Sequence, residues 1–258
     1  MRAHIVAAAL FALALSAEAA VQSKAVEYKD GDTVLTGQLY WDDAVEGSRP
    51  GVLVIHEWWG LNDYAKKRAH MLAELGYVAF AADMYGDGQI TDKPDQARTW
   101  MQEVTADVEG WRERARLGLE QLQASGMVDG DKVAAVGYCF GGATVLQMSY
   151  ADLPLKGVVS FHGSLPAAPE ESKGKIGPKI LVLHGYADEW LGPDIVANFR
   201  EKLDAAGANW EMNSYGGARH GFTNPDVGQY KIANLQYNAQ ADQRSWARMQ
   251  VFFGEIFD

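Results

Sequence analysis

Along residues 26–40 apolar and polar positions alternate on either side of Lys29-Asp30-Gly31-Asp32, a turn-rich tetrad between two runs carrying Val, Tyr and Leu. The spacing predicts a β-hairpin, expected at the antiparallel edge of a sheet. Short unbroken apolar runs then recur at 52–55, 78–82, 133–136, 158–161 and 180–183. Runs of that length without alternation suit strands covered on both faces, as in a parallel sheet. Between them Ala65, Ala69, Leu72 and Leu75 fall at helical spacing, with Gly76 as the stop signal. Residues 94–125 read as one or two helices ending at Gly126, and 141–150 as a short helix entered directly from a strand. A helix over 194–206 follows Pro193 and stops at Gly207, a strand is expected over 210–215, and a helix over 234–253 closes the chain. Residues 166–178 read as a surface connection. Strands and helices that alternate in this way predict a three-layer α/β fold, a mostly parallel central sheet with helices on both faces and right-handed crossovers.

Composition narrows the picture. A chain of 258 residues, 48% apolar and 22% charged, has enough material for one full-sized core, and α/β folds of this length commonly form one domain. A net charge of −11 without a basic run argues against nucleic acid as a partner, because phosphate backbones are held by clustered Lys and Arg. The first 19 residues stand apart: Arg2 and His4 precede an apolar stretch over 5–15, and Ala17-Glu18-Ala19 follows. This is the pattern of a secretory signal peptide, too short in its apolar part to span a bilayer comfortably. The expectation is a signal peptide over 1–19 and a single domain over 20–258, periplasmic or secreted, without stable membrane association once the signal is removed. The single cysteine excludes an intramolecular disulfide, so a lone thiol in an exported protein needs another explanation.

That explanation lies in Gly137-Tyr138-Cys139-Phe140-Gly141-Gly142, where a buried strand runs into the start of a helix with Cys between glycines. It is the Gly-x-nucleophile-x-Gly elbow of α/β-hydrolases, with Cys in place of the commoner Ser. The flanking glycines are needed because side chains there would collide with the neighbouring strand and helix, and the helix dipole favours the thiolate. The partners should follow in the order acid, then histidine. Asp188 lies in the loop after the strand at 180–183, and His220 in the loop after the strand at 210–215. Both loops belong to the face on which open α/β sheets bind ligands. Glu189 competes with Asp188, while His184 precedes the acid and is expected to be structural. After the strand at 52–55 comes His56-Glu57-Trp58-Trp59-Gly60. In this fold that loop lends one N–H to an oxyanion hole, the other coming from Phe140. No HExxH pattern or further ligand cluster turns His56-Glu57 into a metal site, so neither metal nor cofactor is expected.

With these segments in view, the mature chain resembles the dienelactone hydrolase family along nearly its whole length. The resemblance runs through His56-Glu57-Trp58-Trp59-Gly60-Leu61-Asn62, Ala82-Asp83-Met84-Tyr85, the Cys139 elbow, His184-Gly185-Tyr186-Ala187-Asp188 and His220-Gly221-Phe222. It implies a catalytic triad of Cys139, His220 and Asp188, backbone oxyanion donors at Trp58 and Phe140, and a role for Glu57 in forming the thiolate as substrate binds. Family members that cleave dienelactone hold its carboxylate with two arginines. The corresponding positions here carry Asp87 and Asn224, which cannot reproduce a bidentate guanidinium clamp. The expected substrate is therefore a small ester or lactone other than dienelactone itself. Trp58, Trp59, Tyr85, Phe140, Trp190 and Phe222 are candidates to line the pocket, with plain core packing the expectation for about half of them. A thioesterase, a non-catalytic binder of small ligands and a redox-sensing thiol are the rival readings, and a monomer is the working expectation for assembly.

Overall fold

The computed structural model describes residues 20–258, so the expected signal peptide lies outside the described residues. The hairpin forms from β1 (Val21–Asp30) and β2 (Thr33–Asp42), turning at Gly31-Asp32, and β1 is the outer strand of the sheet. Six more strands follow: β3 (Arg49–Ile55), β4 (Val78–Ala82), β5 (Val128–Tyr138), β6 (Gly157–Phe161), β7 (Lys179–Gly185) and β8 (Trp210–Tyr215). They stand in the order β1-β2-β4-β3-β5-β6-β7-β8, antiparallel from β1 to β4 and parallel from there on. This is an α/β-hydrolase-type sheet. The chain first winds from β3 to β4 on one side and then returns to lay β5 on the other. The strand order therefore reverses between β3 and β5, and a crevice opens beyond their carboxyl ends.

The helices are α1 (Asp63–Glu74), α2 (Pro94–Thr105), α3 (Val108–Gln123), α4 (Phe140–Tyr150), α5 (Pro193–Ala206) and α6 (Ala239–Phe257). Side chains alternate across the sheet. Val52 and Val54 meet α1 and α6 on one face, while Leu53 and Ile55 meet the core packed under α3, α4 and α5 on the other. Of the two helices allowed over 94–125 both are present, with the break at Ala106-Asp107 because Asp107 caps α3 by accepting a bond from the Glu109 N–H. The last helix begins at Ala239 rather than at 234, because Asn238 is its N-cap and residues 234–238 are engaged elsewhere. Among the described residues no helix is long and apolar enough to cross a membrane.

Candidate active site

Cys139 joins β5 to α4 with φ 54° and ψ −112°, a conformation that costs an L residue about 1–3 kcal/mol and persists only where the surroundings enforce it. They do so by close packing. A Cβ on Gly137 would lie 1.9 Å from the Gly141 carbonyl oxygen, and one on Gly141 would lie 2.3 Å from that of Ile55. The Gly141 N–H donates to the His56 carbonyl at 3.1 Å, and the Cys139 N–H to that of Phe161 at 3.0 Å. The elbow is thereby tied to the ends of both β3 and β6.

His220 Nδ1 lies 2.7 Å from Asp188 Oδ2, and both side chains are buried. Asp188 Oδ1 accepts from Asn234 Nδ2 at 2.7 Å and from the Trp190 N–H at 3.0 Å. Burial would raise the Asp188 pKa, but the His220 bond and charge, Asn234 and the Trp190 N–H together hold it below the ordinary value. Glu189 turns away to pair with Arg219 at 2.6 Å, so Asp188 is the carboxylate beside the imidazole.

Burial opposes protonation of His220. It is outweighed by the charge of Cys139 and by Asp188, and the His220 pKa is raised to about 10. The sulfur thus stands close enough to stabilise the imidazolium, yet Nε2 is buried with no aligned hydrogen-bond partner among the described residues. The two groups are neighbours whose bond has still to tighten, a common state before substrate binds.

The loop after β3 is rigid for identifiable reasons. His56 Nε2 accepts from the Met84 N–H at 3.1 Å, which leaves the proton on Nδ1 for the Glu57 carbonyl at 2.5 Å. Burial lowers the His56 pKa, in keeping with this neutral tautomer. Tyr85 donates its hydroxyl to the Trp58 carbonyl at 3.0 Å, and its ring stacks on Phe140, which stacks on Trp111. The backbone N–H of Trp58 donates to no acceptor among the described residues, and that of Phe140, first in α4, has no intrahelical one. Glu57 is buried, its Oε2 accepting from Asn224 Nδ2 at 2.8 Å. Burial raises its pKa to about 7 against the opposing effects of Asn224, His220 and Arg68.

The pocket candidates separate. Trp190 is 43% exposed, with its ring centroid 4.7 Å from that of His220, while Trp58 is nearly buried 6.3 Å from Trp190. Phe222, a pocket candidate, is instead a core residue, fully buried against Tyr215 and His162. Trp59 is likewise buried, stacked on Tyr230 at 3.6 Å, and Tyr85 is committed to bracing the loop. A cavity of about 970 Å³ includes Asn62, Tyr64, Asn224 and Tyr230 but neither Cys139 nor His220. Asn224, the partner of Glu57, lies on its wall. Asp87 lines a separate cavity with Asp30, Trp100 and Glu103.

Several residues of the site carried no sequence signal. Asn234 was expected to open a helix. Thr223 links Tyr64 at 2.5 Å to His162 Nε2 at 2.7 Å, its carbonyl accepts from Arg68, and Arg68 pairs with Asp242 at 2.6 Å. Each contact joins distant stretches of chain, which periodicity does not register. Among the described residues no group of three or more His, Cys, Asp or Glu is arranged to hold a metal ion.

Comparison with known proteins adds an independent line. The family model described as the dienelactone hydrolase family matches residues 35–257. The crystal structure of a dienelactone hydrolase-like promiscuous phosphotriesterase from metagenomic libraries superposes with a TM-score of 0.90 at 39% identity, covering 93% of this chain and 100% of that one. A Saccharolobus solfataricus protein to which carboxymethylenebutenolidase activity is ascribed is 28% identical over 248 residues, covering 82% of this chain and 91% of its own. An Aquifex aeolicus protein of the same ascription is 30% identical over 186 residues, covering 68% and 77%.

Proposed function

This chain belongs to the dienelactone hydrolase family, and from that premise we propose that it cleaves neutral carboxylic esters or lactones through a thioester acyl-enzyme on Cys139. The observation that carries the reading is the strained Cys139 elbow beside a His220 imidazole held by Asp188. In acylation His220 carries the proton given up by the thiol, and the sulfur attacks the carbonyl carbon. The oxyanion is met by the N–H groups of Phe140 and Trp58. Collapse of the adduct breaks the bond to the leaving oxygen, which receives the proton from His220 and leaves a thioester. His220 then deprotonates a water that attacks the thioester, and the acid departs as the thiolate is regenerated.

Glu57, poised near neutrality and buried, is a second proton acceptor beside the site. A neutral substrate is favoured because Asn224 is taken up by Glu57, Arg219 by Glu189, and Arg68 by Asp242 and the Thr223 carbonyl. No guanidinium among these is left to hold a substrate carboxylate. A phosphotriester is a second candidate substrate, also neutral, and is favoured by the metagenomic relative described as a promiscuous phosphotriesterase. Export to the periplasm or beyond is proposed from residues 1–19 alone.

Cys139→Ala is expected to abolish turnover of a short aryl ester while leaving the fold intact by circular dichroism. Acid-quenched wild-type protein should gain the mass of one acyl group on Cys139. Turnover at the wild-type rate in the alanine variant would overturn the assignment.

A further inference from the structure

We propose that Trp190 is the leaving-group wall of the site and biases it toward esters whose leaving group is aromatic, an inference that rests on the acyl-transfer reading above. An exposed tryptophan is not in itself informative, since single apolar side chains on a surface are ordinary. Its neighbours make it so. Cys139, Trp58 and His220 are 8%, 8% and 2% exposed, whereas the indole beside them is 43% exposed. It leans on the His220 ring at 51° and presents an edge-on contact to Trp58 at 66°.

The backbone of Trp190 is fixed by the catalytic carboxylate itself. Its N–H donates to Asp188 Oδ1, and the next N–H, from Leu191, donates to the Asp188 carbonyl at 3.3 Å. The main chain that carries the indole is therefore anchored relative to the imidazole.

The chemistry then assigns the side of the substrate that meets it. During acylation the leaving oxygen must come within hydrogen-bonding reach of His220 to be protonated, while the carbonyl oxygen is directed to the N–H groups of Phe140 and Trp58. Whatever is attached to the leaving oxygen lies beside the group that flanks the imidazole, and that group is Trp190. An aryl group on the leaving oxygen can stack on the indole and be drawn out of water, whereas a small alkyl group cannot.

The test compares phenyl acetate with a fluoroalkyl acetate of similar leaving-group acidity, so that acyl group and intrinsic reactivity are matched. The Trp190→Ala variant is expected to lower the ratio of kcat/KM for aryl over fluoroalkyl ester by roughly tenfold, and Trp190→Phe to retain most of that ratio. Both substrates give the same acyl-enzyme, so its rate of hydrolysis should be alike for the two. A uniform loss that preserves the ratio would mean that Trp190 only shields the His220–Asp188 pair, and would overturn the proposal. Turnover by Cys139→Ala run in parallel would instead sink the acyl-enzyme reading, so the two failures are distinguishable.

Discussion

At Cys139 and His220 the state of one side chain is set by the other, and removal of the sulfur reads this directly. Burial alone would leave the imidazole neutral, and Cys139 and Asp188 together raise its pKa to about 10. In Cys139→Ser the thiolate contribution is lost while the Asp188 bond remains, so the His220 pKa should fall toward the ordinary imidazole range. Imidazole nitrogen resonances followed through a pH titration would check it; an unchanged value would mean that Asp188 alone holds the charge. The residues of this pair were legible in the sequence because an elbow is a local pattern and the order acid-then-histidine follows the strands. Asn234 was not legible, since its bond to Asp188 spans 46 positions and no local rule requires it. Phe222 shows the limit from the other side. Two places from His220 in the chain, it nonetheless packs into the core with α6, because nearness in sequence to a site residue does not fix where a side chain points.

Among the elements, α1, the His220 loop and α6 are joined through Arg68 and Thr223. Arg68 on α1 bonds the Thr223 carbonyl and pairs with Asp242 on α6, and its guanidinium stacks near the rings of Tyr64, Tyr138 and Trp246. Tyr64 accepts from Arg68 Nε at 3.3 Å, so its own proton goes to Thr223 Oγ1, which in turn donates to His162 Nε2. His162 is thereby kept neutral beside His220, in the direction in which burial and the His220 charge already push it. Thr223→Val keeps the shape but leaves a buried phenol and a buried imidazole without their partner, which costs about 1–3 kcal/mol per group. We expect an earlier urea midpoint and a kcat lowered by roughly tenfold as the His220 loop loosens, with Thr223→Ser restoring both. Equal behaviour of the valine and serine variants would show that the hydroxyl is idle. Strands and most helices could be read beforehand because each carries its own period. The break before α3 and the late start of α6 could not, because both depend on which of several polar residues takes the capping role.

For the molecule as a whole, the crevice between β3 and β5 gathers a buried carboxyl that the fold holds at a cost. The unfolded chain releases the Glu57 proton near the ordinary value of 4.5, whereas burial keeps it on in the folded protein up to about 7. Between those values the folded state binds more protons than the unfolded one. Stability tied to Glu57 is therefore fully present below about 4.5, is lost as pH rises toward 7, and stays lost above, a difference of about 3 kcal/mol. Glu57→Gln cannot ionise and can still accept from Asn224 through its amide oxygen. Measured by chemical denaturation, the variant should gain on the wild type between pH 4 and pH 8 by about that amount. The other carboxylates of this strongly acidic chain titrate alike in both proteins and cancel from the comparison; parallel pH profiles would show that Glu57 is not held protonated. If the same carboxyl takes a proton as the thiolate forms, the variant should also turn over ester more slowly at neutral pH. A glutamate that weakens the fold at neutral pH yet speeds the reaction is what a buried acid kept for catalysis requires, and a variant both more stable and slower would separate that role from a purely structural one.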